Sequence, residues 1–180
     1  MWKYLSSRIL WGALLIIGGI TLLLHNFGYF KFGGLFWAVV LGITGLSFIS
    51  IFIVNRSNWW GLIPGFTFVG VSLIIVLDTF TPKLADILGG WIILGGIGLS
   101  FLVVYLVDRT NWWAIIPMGV MFTLALVSGL DSILPENLTG GLFFIGIGLT
   151  FVALALVNYR DGKMNWAWIP AGVLVLFGLI

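Results

Sequence analysis

The sequence predicts an all-α integral membrane protein, with seven short transmembrane helices built from tandem, parallel two-helix repeats of 53 residues. Three observations predict it. Of 180 residues, 61% are hydrophobic and 8% charged, with a mean hydropathy of +1.21, so a soluble fold would have too little polar surface to meet water. Seven apolar segments divide the chain, most of them at or just under the approximately 17–25 residues that cross a bilayer core as a helix, and none with strand-like alternation. All five prolines obey one spacing: Pro64, Pro117 and Pro170 lie 53 apart, and so do Pro82 and Pro135.

The segments run from Leu10 to Leu24, Phe36 to Val54, Trp59 to Leu77, Leu88 to Val107, Trp112 to Leu130, Leu142 to Val157 and Trp166 to Ile180. The first follows Lys3 and Arg8, as a signal peptide would, but no A-x-A-like cleavage site comes after it. Counting back 53 residues from Arg56 lands on Lys3, and from Gly65 on Gly12, so this segment belongs to the series and is expected to be a retained helix. The same offset links His25, Asp78 and Asp131, Trp59 and Trp112, and Gly45 and Gly98. "GLSF" at 45–48 recurs at 98–101 and, as "GLTF", at 148–151; that last spacing is 50, and three residues inserted in "RDGKMNW" restore the register. The units are therefore about 1–54, 55–107 and 108–157, followed by a final helix at 166–180. By the same register the next outer-side acid would fall at position 184, which leads us to expect a longer parent chain.

A unit with two crossings returns the chain to its starting side, so successive units are expected to be parallel, with Arg56, Arg109 and Arg160 at one interface and Asp78 and Asp131 at the other. An open row suits an extra half-unit better than a closed ring. Lys3, Arg8, Arg56, Arg109, Arg160 and Lys163 share one side, against Lys31 and Lys83 on the other. That bias of basic residues places the N-terminus in the cytoplasm and the C-terminus outside.

The repeated phrases "NWWGLIPG" from Asn58, "NWWAIIPMG" from Asn111 and "NWAWIPAG" from Asn165 mark membrane entry. Trp59, Trp60, Trp112, Trp113, Trp166 and Trp168, with Arg56, Arg109 and Arg160, are expected as interface anchors, where an indole buries its ring and keeps its N–H among headgroups. Asn58 and Asn111 are expected to cap the incoming helices, and each proline to fall in the first turns, where a missing N–H is cheapest. An aromatic cage for a cationic or pigment ligand is the alternative use of these rings.

The chain holds 25 glycines, many inside helices. In lipid, small residues let backbones approach, so Gly42, Gly45, Gly95, Gly98 and Gly148 are predicted helix-packing positions, with Ala38 on the same face as Gly42 and Gly45. The pairs Gly96 with Ser100 and Gly146 with Thr150 repeat the pattern. No Asp, Glu, Lys, Arg or His lies inside the seven segments, where the deepest polar groups are hydroxyls such as Thr44, Ser47, Ser50, Thr67, Ser72, Ser100, Thr123 and Thr150. Proton relays, ion-coupled carriers and voltage sensors need intramembrane charge. Hydroxyls are expected to bond back to their own helix or across to a neighbour. His25 is the single histidine and there is no cysteine, so we expect no catalytic constellation, no metal site and no cofactor.

The stretch "WGALLIIGGITLLLHNFGYFKFGGLFWAVVLGITGLSFI" (11–49) resembles the LiaI/LiaF-type transmembrane region, a bacterial helix pair, through "LLLHNFG" (22–28) and "GITGLSF" (42–48). "VLDTF" (76–80) and "GIGLSF" (96–101) echo it in the second unit. The chain differs in having His25 where an acid is usual, and its 180 residues hold no counterpart of the soluble domain that LiaF-like proteins carry. The resemblance implies a protein of the bacterial cytoplasmic membrane that acts through partners, as in envelope-stress sensing. Composition alone supports a non-catalytic membrane scaffold, anchor or accessory subunit, whose partners are the lipid bilayer and a protein or a second copy of itself, and not nucleic acid. The alternative is a channel or carrier for a neutral or lipidic solute.

Overall fold

The structure is a computed structural model that describes residues 12, 16, 19, 20, 23, 33–130, 135–159 and 162–180. The described chain is helical apart from one two-residue β pairing. Six α-helices follow one another: α1 (Gly34–Val54), α2 (Leu62–Phe80), α3 (Pro82–Val107), α4 (Ile115–Leu130), α5 (Glu136–Leu156) and α6 (Trp168–Leu179). Single 3₁₀ turns at Trp59–Gly61, Trp112–Ala114 and Asn165–Ala167 lead into α2, α4 and α6. Counted with these turns, five of the helices are long and apolar enough to cross a membrane, namely Gly34–Val54, Trp59–Phe80, Pro82–Val107, Trp112–Leu130 and Leu138–Leu156, while Asn165–Leu179 is shorter. This is the make-up of a multi-pass membrane protein. Of the first apolar segment only residues 12, 16, 19, 20 and 23 are described, and each is helical.

Two helices begin earlier than hydropathy indicates. The fourth and sixth apolar segments were bounded at Leu88 and Leu142, but α3 starts at Pro82 and α5 at Glu136. Proline supplies the reason. Pro82 occupies the first position of α3, where its fixed φ suits a helix and its absent N–H leaves nothing unsatisfied, and Pro135 caps α5. The first turns of α3 hold Lys83 and Asp86, both exposed, so the apolar count stops at the charges while the helix itself begins before them. Thr81 alone connects α2 to α3, and its N–H and hydroxyl both donate to the Leu77 carbonyl.

Every substantial contact between helices joins chain neighbours: α1 with α2, α2 with α3, and so on to α6. The larger buried side chains gather at one end of this arrangement. Phe52, Leu62, Val104 and Ala114 form one cluster, and Ile115, Leu154, Ala155, Met164 and Ala167 a second, with Tyr105 packed against both. Their membership puts the three connections after α1, α3 and α5 at the same end. In the last of these, where three inserted residues restore the register, Asn158 pairs with Lys163 and Tyr159 with Gly162 in an antiparallel ladder. Its tip, with Arg160, lies outside the described residues, as do His25 and Asp131.

Candidate functional site

The residues that carry the repeated phrase build nearly the same object twice. At Asn55 the α1 chain turns, and its side-chain Oδ1 accepts hydrogen bonds from the Ser57 N–H (3.1 Å) and hydroxyl (2.8 Å). At Asp108 the α3 chain does likewise, with Oδ1 accepting from the Thr110 N–H (2.9 Å) and hydroxyl (2.7 Å). Such local side-chain bonds compete with helix and fold the backbone into a turn. Between these partners stands an arginine. Arg56 places Cζ 4.6 Å from the centroid of the Phe52 ring, and Arg109 places its own 4.5 Å from that of Tyr105. Phe52 is buried while both arginines are exposed, so each guanidinium lids a ring that the helix end would otherwise leave partly open.

The next residues enter the following helix through the 3₁₀ turn. Gly61 N–H donates to the Asn58 carbonyl (3.1 Å), Ala114 to that of Asn111 (3.0 Å) and Ala167 to that of Met164 (3.0 Å). Asn58 and Asn111 therefore start their helices with main-chain oxygen and make no side-chain cap, contrary to expectation. Their φ and ψ, −87° and 46° for Asn58 and −80° and 46° for Asn111, lie outside the extended region from which an N-cap side chain reaches back. Asn111 Oδ1 instead accepts from Trp113 Nε1 at 3.3 Å. In the third copy Met164, and not Asn165, stands in the Asn58 place, as the proline register requires. Pro64, Pro117 and Pro170 are each the third residue of their α-helix, so their missing N–H falls in the first turn and no mid-helix kink results.

The tryptophans, expected as interface anchors, make contacts within the helical array. Trp59, half-buried, meets Trp113 of the next hairpin with ring centroids 5.4 Å apart. Trp113 also stands edge-on to Phe101 (6.1 Å), and Trp60 edge-on to Phe48 (6.0 Å). Trp112 packs on the cluster around Leu154. Trp166 is edge-on to Phe151 at 6.2 Å, and it and Trp168 keep about half their surface exposed, 48% each.

Of the predicted packing glycines, four lie at seams between helices. A Cβ on Gly45 would stand 2.8 Å from the Gly65 carbonyl oxygen and 2.8 Å from Val69 Cγ2; on Gly98, 3.1 Å from the Phe122 ring; on Gly148, 2.7 Å from Val175 Cγ2. These partners, Val69, Phe122 and Val175, are themselves 53 residues apart. Gly42 lies under Ser72, whose hydroxyl donates across to the Ala38 carbonyl at 2.6 Å. Gly95 is not at a seam, for a Cβ there would meet nothing within 4 Å. The pair Gly146 and Thr150, picked out by its spacing, also lies at a seam, with Gly146 facing Thr123 and Gly119 facing Thr150; seams not singled out from sequence are those where Gly90 faces Ser128, Gly129 faces the Trp91 indole, and Gly141 and Gly178 stand back to back. A small residue opposite a hydroxyl was the available signal, but pairing needs the partner helix to be known.

The remaining hydroxyls mostly bond back, Thr44 to Val40, Ser47 to Ile43, Thr67 to Ile63, Ser100 to Ile97 and Thr150 to Gly146. Among the described residues no buried side-chain nitrogen or oxygen lacks a hydrogen bond, and no three His, Cys, Asp or Glu gather where a metal could sit. No protein-family model, curated protein or solved structure matches the chain.

Proposed function

We propose that the protein is a non-catalytic scaffold, anchor or accessory subunit of the bacterial cytoplasmic membrane, working through helix packing with a partner, in keeping with a role in envelope-stress signalling. On this reading the chain is three parallel two-helix units and a seventh helix, with the turns after α1, α3 and α5 facing the cytoplasm. The observation that carries it is a pair of apolar furrows on the outside of the array. One, of about 490 Å³, runs between α4 and α5 along Gly119, Phe122, Gly146 and Leu149. The other, of about 540 Å³, runs along α3 past Trp91, Gly95 and Leu99, between Leu73 and Leu126. Glycine floors and apolar walls suit the close approach of another helix, since association in lipid depends on packing. A pore for a polar solute needs converging polar groups.

Leu126 borders both furrows, which makes it the place to test the reading. A photo-crosslinking side chain put there in living cells is expected to give a protein adduct of discrete mass. Adducts to lipid alone would remove the scaffold reading in favour of a carrier for a neutral or lipidic solute, to be measured as flux in reconstituted vesicles.

A further inference from the structure

We infer that the turn at Asn55–Ser57 is a binding site for the phosphodiester of an anionic phospholipid, with Arg56 as its fork, and that the matching turn at Asp108–Thr110 has the same shape but is tuned against that ligand. The geometry of the arginine comes first. A guanidinium lying over a ring has one flat face occupied, and its N–H donors point outward in its own plane, the arrangement that meets two oxygens of a phosphate at once. Stacking on Phe52 holds Arg56 in place, which lessens the freedom lost on binding. Beyond the ring that each one covers, Arg56 and Arg109 are exposed, so their donors are open to a ligand arriving from outside.

Depth comes next. Arg56 lies two residues past the end of α1 and three before Trp59, at the boundary between an apolar span and water where phosphodiesters lie. Trp60 is exposed beside it in sequence and offers an apolar edge to the acyl region below the headgroup. Then charge separates the two turns. In the first the turn acceptor is the neutral side chain of Asn55, so the turn keeps the full positive charge of Arg56; in the second it is Asp108, whose carboxylate offsets Arg109. Similar geometry with unequal charge predicts weaker phosphodiester binding at the second turn, the loss being greatest for a lipid with net negative charge. This inference does not depend on the partner proposed above.

The test is lipid retention on the full chain, by native mass spectrometry from mixed micelles holding equal phosphatidylglycerol and phosphatidylcholine. The parent is expected to retain one phosphatidylglycerol preferentially. Asn55→Asp keeps the turn acceptor and should weaken that preference about fivefold, the effect of about one juxtamembrane charge; Asp108→Asn should add a second retained phosphatidylglycerol. Arg56→Gln should abolish the first, and Arg56→Lys, which keeps charge without the fork, should lie between. Equal retention of the two lipids by the parent, or no response to Asn55→Asp and Asp108→Asn, overturns the inference. So does displacement of the lipid by millimolar inorganic phosphate, which would make this a site for a free anion.

Discussion

The two ends of the helical array are held together by different means. At the end carrying the tryptophan turns, contact is made by large and buried groups, with Val104 and Leu154 at 0% exposure, Phe52 and Ile115 at 3%, and the Trp59 indole tilted against that of Trp113 in the next hairpin. From the middle of the spans to the other end, contact is made by absence: Gly42 under Ser72, Gly90 under Ser128, Gly129 under Trp91, and Gly141 against Gly178. The difference teaches how a chain in lipid can be cohesive without a hydrophobic drive between its helices. Bulky side chains interlock around the turns, and glycines bring backbones together along the spans.

That comparison can be broken first at a glycine. Gly45→Leu forces a side chain against the Gly65 carbonyl oxygen and the Val69 N–H, which are main-chain atoms that cannot step aside, and should cost about 3 kcal/mol, read as unfolding in mild detergent. Gly98→Leu should cost less, because the Phe122 ring can turn away. A smaller loss is expected at the bulky end, where Leu154→Ala leaves a cavity in the densest cluster and should cost about 2 kcal/mol in the same measurement. Smaller again is Ser72→Ala, which removes the hydrogen bond from α2 to the Ala38 carbonyl and should cost about 0.6 kcal/mol. Gly95→Ala should change stability by less than about 0.5 kcal/mol, since a methyl there meets open space. Should Gly95→Ala match Gly45→Leu, a methyl at Gly95 would be meeting a close neighbour, and the distinction between seam and furrow glycines would fail.

Much of this was legible in the residues, and what was not has a physical cause. The span at Trp112–Leu130 matches its apolar segment to the residue, because tryptophan begins it and Gly129–Leu130 leads to polar residues. Gly45, Gly98 and Gly148 were identifiable as seam residues because each sits in the same short phrase, whereas Gly95 shares their helix spacing but faces a furrow that no helix fills among the described residues. Periodicity tells which residues share a face and is silent on whether a neighbour covers it. The asparagine caps failed for a related reason, since capping depends on a backbone angle that residue type alone does not set. The arginine over a ring was written plainly as an aromatic residue four positions ahead, Phe52 to Arg56 and Tyr105 to Arg109, yet it becomes a site only once the helix is known to end between the two.

The chain-neighbour pattern of packing bears on how the molecule is made. Among the described residues, a helix whose substantial contacts are with the one before and the one after has most of its packing waiting for nothing distant in sequence, and low contact order of this kind favours fast, stepwise assembly. Each span can settle on its predecessor as it leaves the ribosome and enters the bilayer, and the seam closed by Gly98 and Phe122 is complete before α5 has been synthesised. Synthesis halted after Leu130 would leave α1 to α4 with all the substantial contacts they make with one another in the finished protein.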